Sequence, residues 1–104
     1  MSTEPAAAQL AGPPGFDLDS AWRLHPQVSV RPERFGALLY HFGTRRLSFL
    51  KSPALLTVVQ SLDHEPSARA ACLAAGVSAA DLPAYARALG TLAAGQMISE
   101  RTSH

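Results

Sequence analysis

The chain has 104 residues, a formal net charge of +1, 47% hydrophobic residues and a single cysteine, so it is one domain at most and is too apolar to be wholly disordered. No apolar run approaches the roughly 20 residues that a membrane span needs, and residues 1–15 lack the basic start and long apolar stretch of a secretory signal. A lone cysteine excludes an intrachain disulfide, and a cytoplasmic, reducing setting with no membrane partner is expected.

Residues 1–21 carry Glu4, Asp17 and Asp19 and no basic residue, while Pro5, Gly12, Pro13, Pro14 and Gly15 interrupt any regular element. This composition predicts a flexible N-terminal tail over 1–21, followed by a folded domain over 22–98 that begins near Trp22. Val28–Val30 alternates as a first strand, closed by Pro32, which cannot donate to a ladder. In the stretch from Gly36, residues Leu38, Tyr40 and Phe42 fall on one face of a second strand, and Gly43-Thr44 supplies a turn. The return strand places Leu47 and Phe49 on one face and Arg46, Ser48 and Leu50 on the other. The Leu47/Phe49 face is assigned to the core, so Phe49→Ala is expected to damage folding. His41 is expected on a strand face with no special role. Residues 22–51 hold a net charge of +5, which makes this ribbon the basic third of the chain and suits an acidic partner.

Helical signals follow. Ser52-Pro53 is an N-cap followed by proline at a position that needs no N–H, and Leu55, Leu56, Val59 and Leu62 form an apolar stripe. Asp63 to Pro66 break this helix. Ser67 opens a short alanine-rich one that contains Cys72, expected to be a small buried thiol, and Gly76 closes it in a left-handed conformation. Ser78 with Asp81 signals a third helix running to about Ile98, with Leu82, Tyr85, Ala86, Leu89, Leu92 and Ala93 buried; residues 99–104 are left as a C-terminal tail. The order predicts an α+β fold: a winged helix-turn-helix-like domain with a three-stranded antiparallel β-sheet followed by three α-helices.

The chemistry-bearing residues form no catalytic pattern. His25, His41, His64 and His104 lack metal-ligand spacing, and no Ser-His-acid set, carboxylate pair or glycine-rich phosphate loop is present. The sequence therefore predicts a binding module without enzymatic activity, metal or cofactor. Nucleic-acid binding by a winged helix is the alternative, with the basic hairpin on phosphates. Against it, the start of the third helix, Ala79 to Ala84, offers no base-reading side chain and carries Asp81 where a phosphate would lie. The other features of note are the last strand of the meander, whose outer edge is open for pairing, and a row of small residues, Ala86, Gly90 and Ala94, on the third helix.

The run Gly36-Ala-Leu-Leu-Tyr-His-Phe-Gly-Thr-Arg-Arg-Leu-Ser-Phe-Leu-Lys-Ser-Pro53, with the helix stripes after it, resembles the mycofactocin biosynthesis peptide chaperones over about residues 22–98. These belong to the stand-alone recognition elements for ribosomally made, modified peptides and are similar in layout to the chaperone of pyrroloquinoline quinone biosynthesis. The resemblance implies a non-catalytic chaperone that binds a short precursor peptide and delivers it to a radical S-adenosylmethionine maturase. That enzyme would oxidatively decarboxylate a C-terminal tyrosine and crosslink it to the neighbouring valine. It further implies that the peptide adds a strand to Arg45, Arg46, Leu47, Ser48, Phe49, Leu50 and Lys51 and lies against the helix flank of Pro83, Ala86, Arg87, Gly90 and Ala94.

Overall fold

The structure is a computed structural model that describes residues 16–101. Its strands are β1 (Trp22–Leu24), β2 (Val28–Glu33), β3 (Gly36–His41), β4 (Arg46–Leu50) and β5 (Ile98–Glu100); its helices are α1 (Pro53–Ser61), α2 (Ala68–Ala74) and α3 (Leu82–Ala94). Strands β2, β3 and β4 form an antiparallel meander in that order, and β1 pairs with β5 in a separate two-stranded sheet. The expected three-stranded sheet followed by three helices is therefore present. The β1–β5 sheet was not foreseen.

Side chains alternate across a strand, so the pairing decides which face enters the core. Ala37 lies opposite Leu50, Leu39 opposite Ser48 and His41 opposite Arg46. Ala37, Leu39, His41 and Leu50 are buried, whereas Leu47 and Phe49 are 61% and 53% exposed. The sequence assignment of Leu47 and Phe49 to the core is thus reversed, and Phe42 leaves the strand for an exposed turn position. The reason is that β3 is apolar on both faces. Leu38 and Tyr40 compete with Ala37 and Leu39, and only the side on which α1 packs against β3 settles the choice. Val58, Val59 and Leu62 from α1 and its following turn complete that side of the core, with Leu55 and Leu56 partly buried beside them.

The helix ends follow from local chemistry. Ser52 Oγ accepts from the N–H of Leu55, and Ser67 Oγ from that of Ala70, so both predicted serine caps are formed. Gly76 has φ +91, the predicted left-handed closure of α2. Ser78 makes no side-chain cap; residues Ala79–Asp81 form a tight 3-10 turn, and α3 begins only at Leu82. Leu89 and Leu92 are buried as expected, but α3 stops at Ala94. Gln96 takes φ +64, and Met97 N–H donates to Leu92 O. Ile98–Glu100 then pair with Trp22–Leu24 instead of extending the helix or joining a tail. The first turn of α2 is completed from a distance: Ala68 and Arg69 N–H donate to the carbonyls of Ser20 and Leu18. Arg69 also pairs with Asp19 at 2.7 Å, holding that carboxyl below its usual range. Phe16 packs on Trp22 with ring centroids 5.0 Å apart. Residues 16–21, expected within the tail, are therefore packed against the domain. Residues 1–15 lie outside the described range.

The β3–β4 loop is organised by a histidine. His41 is buried, and its Nδ1 accepts from the N–H groups of both Gly43 and Thr44. The expectation of no special role for His41 is corrected by these bonds. His25 stacks against it at a centroid distance of 4.4 Å, and its own Nδ1 accepts from Gln27 N–H.

Three predictions follow from this packing. Leu50→Ala should cost about 2–5 kcal/mol in denaturant unfolding, while Phe49→Ala should change stability little. Gly36 has φ +155, and a Cβ there would come within 1.9 Å of the Leu50 carbonyl oxygen, so Gly36→Ala should destabilise by on the order of 3 kcal/mol in the same measurement. Burial lowers the proton affinity of His25 below the ordinary 6.5, with the charges of His41 and Arg23 adding to the effect. The unfolded histidine then takes up a proton that the folded one refuses. Thermal stability should fall as pH drops below about 6.5, and His25→Asn, which keeps an acceptor for Gln27, should make the fall shallower.

Candidate functional site

Strand β4 is the edge of the described meander: β3 pairs with it on one side, and no described strand pairs on the other. Helix α3 runs beside it in the opposite sense, with a recess at each end. One recess, of about 330 Å³, is lined by Thr44 and Arg46 at the start of β4 and by Ala94, Gly95 and Gln96 at the end of α3. The other, of about 200 Å³, is lined by Ser52 just beyond β4, Leu55 of α1, and Ala84, Tyr85 and Ala88 in the first turns of α3. Ala84, Ala88, Thr91 and Gly95 fall in one helical row, and its small members lie at the two recesses.

The predicted residues divide between this cleft and other places. Arg46 and Ala94 line the first recess together. Arg45 sits in the preceding loop with φ +63, and Lys51 is exposed just past the strand. Ser48 is half-buried. Leu50 is buried, so its side chain belongs to the core and only its backbone can serve a ligand, while Leu47 and Phe49 point to the outer face of the sheet. On α3, Pro83 and Arg87 are exposed, Ala86 is half-buried and Gly90 is buried. Because Gly90 is buried, the row Ala86–Gly90–Ala94 is not an open flank along its whole length. The lining residues missed from sequence are Thr44, Ser52, Leu55, Ala84, Tyr85, Ala88, Gly95 and Gln96. A weak signal existed, since Ala84 and Ala88 are as small as Ala86 and Gly90; an alanine-rich helix offers several such pairs.

The site's chemistry is that of recognition. Among the described residues no three His, Cys, Asp or Glu side chains are grouped to hold a metal. Cys72 is buried away from the cleft, and burial pushes its thiol pKa up, which disfavours the reactive thiolate. What β4 offers is a row of unpaired backbone donors and acceptors, a recess at either end, and the cations Arg45, Arg46 and Lys51 around it. An extended peptide can add to such an edge by main-chain pairing, with side chains entering the recesses. The start of α3 presents Asp81, Pro83 and Ala84, a poor surface for reading base edges.

Comparison with known proteins places the chain in a family. The model of the Peptide chaperone MftB family matches residues 21–99. A Peptide chaperone MftB from Mycobacterium tuberculosis (strain ATCC 25618 / H37Rv) is 56% identical over 97 residues, covering 93% of this chain and 89% of that protein. Its counterpart from Mycobacterium ulcerans (strain Agy99) is 57% identical over 99 residues, covering 94% and 91%. The one from Mycolicibacterium smegmatis (strain ATCC 700084 / mc(2)155) is 53% identical over 92 residues, covering 88% and 90%. No solved structure matches the chain.

Proposed function

Because the chain belongs to the peptide chaperone MftB family, a family of non-catalytic proteins, we propose that it holds the mycofactocin precursor peptide as an added antiparallel strand on β4 and presents it to the radical S-adenosylmethionine maturase. The observation that carries the binding mode is the edge of β4 with a recess against α3 at either end. Main-chain bonds along Arg46–Leu50 give attraction that depends little on peptide sequence; the recesses at Arg46/Ala94 and at Leu55/Ala84/Ala88 select side chains. Ordering a flexible peptide costs entropy, and contact with a preformed strand and helix offsets it. Arg45, Arg46 and Lys51 favour a peptide with acidic residues near the edge, with an attraction that weakens as salt rises.

The test is titration with precursor peptide, read by backbone amide shifts and by calorimetry. The largest shifts are expected over 46–50 and along the Ala84–Ala88–Gly95 row. Ala84 is exposed, so Ala84→Trp fills its recess from outside and leaves the core alone. It should weaken the peptide by about tenfold or more, roughly 1.4 kcal/mol, with an unchanged melting curve. Normal affinity in the folded variant, with shifts elsewhere, would reject the cleft as the binding site.

A further inference from the structure

We infer that the outer face of the β2–β3–β4 sheet is a second docking surface, for a folded protein that presents an apolar centre within a carboxylate rim. The inference rests on the reading above, in which that protein is the maturase.

Alternation puts two cross-strand rows on this face: Ser29–Tyr40–Leu47 and Arg31–Leu38–Phe49. The two hairpin turns extend it in both directions. Phe35 packs on Phe49 with centroids 5.1 Å apart, and Phe42 stands edge-on to Tyr40 at 5.4 Å. Phe35, Phe42, Leu47 and Phe49 are 48–61% exposed. Single exposed apolar residues are ordinary, but four exposed ones adjoining the half-buried Leu38 and Tyr40 on one sheet face mark a surface that something covers. The core does not require them, because α1 packs on the opposite side of β3, where Leu39 and Leu50 are buried.

Charge identifies the occupant. Arg31 and Arg34 are exposed beside the strip, with Glu33 the one acidic residue among β2, β3, β4 and their turns. An acidic rim on the partner satisfies them. A second copy would oppose arginine to arginine. A nucleic acid would suit the arginines and could stack on the rings, but Leu38 and Leu47 at the middle of the strip interrupt a stacking platform, and Glu33 on the same face opposes a phosphate. The face is also distinct from the peptide site. A peptide pairs with the lateral edge of β4, whereas this surface lies on the flat of the same strand, through Leu47 and Phe49. Both can be filled at once, and a partner gripping the flat would lie directly beside a peptide held at the edge.

The experiment uses the full chain and two variants placed away from the β4 edge, Arg31→Glu and Phe35→Ser with Phe42→Ser. Each is checked by thermal melting and titrated separately with precursor peptide and with purified maturase. The expected result is peptide affinity within about twofold of wild type and maturase affinity reduced at least tenfold. Folded variants that bind maturase normally would overturn the inference. So would folded variants that lose peptide, since the face would then be part of the peptide site. Dimerisation of the wild type that the phenylalanine variant abolishes, or retardation of an oligonucleotide that Arg31→Glu abolishes, would replace the proposed occupant. A wild-type chain that binds peptide but no maturase would instead sink the presentation step of the proposed function, and this inference with it.

Discussion

Two hydrogen bonds into one buried ring set the parity of the sheet. His41 Nδ1 accepts from Gly43 and Thr44, its carbonyl accepts from Arg45 N–H, and Arg45 takes the left-handed conformation that closes a four-residue loop. His41 therefore stands opposite Arg46, and every later pair in the hairpin follows from that one. A slip of one residue would exchange Leu50 for Phe49 in the core and turn β4 over. With the observed register Leu50 is inside, its carbonyl lies close against Gly36, and Ser52 stands where its hydroxyl caps α1. The position of α1 over the sheet, and hence the recess it shares with α3, depends on this loop.

A chain of this size has little surface to spare, and the meander uses nearly all of its own. The inner face carries Ala37, Leu39, His41 and Leu50 and makes the core. The edge of β4 leaves its outward backbone groups without a strand partner among the described residues. The outer face keeps an aromatic strip that contributes little to folding. Leaving an edge and an apolar face uncovered is a hazard for a small protein, because both invite association. Exposed arginines beside the strip set like charge against like in any pairing of two copies through this face.

The second sheet is what holds the far end of the cleft. After α3, Gly95 and Gln96 turn the chain so that Ile98–Glu100 can pair with Trp22–Leu24. Arg101 continues the clasp: its N–H donates to Ala21 O, and its guanidinium donates to the carbonyls of Asp63 and Glu65 in the turn after α1. Three separate stretches of chain are thereby joined around the buried Trp22 and Met97. Gly95 and Gln96, which line the first recess, are positioned by this clasp.

Much of this was legible in sequence because it is local. The serine caps, the left-handed Gly76, the period of the apolar stripe on α3 and the open edge at residues 46–50 are all set by residues within one turn or one strand of each other. Two features were decided only by tertiary structure, for the same reason. β3 is apolar on both faces, so its pattern fits either orientation, and only the packing of α1 determines that Leu50 goes in and Phe49 out. Met97 and Ile98 continue an apolar period that suits a helix, yet β1, more than seventy residues earlier, offers Ile98 and its neighbours a strand partner that outweighs local propensity. The row of α3 that borders the cleft was hidden in the same way. Alanine and glycine fit a buried flank and an open one equally well, and which row faces β4 depends on how the helix is rotated against the rest of the molecule.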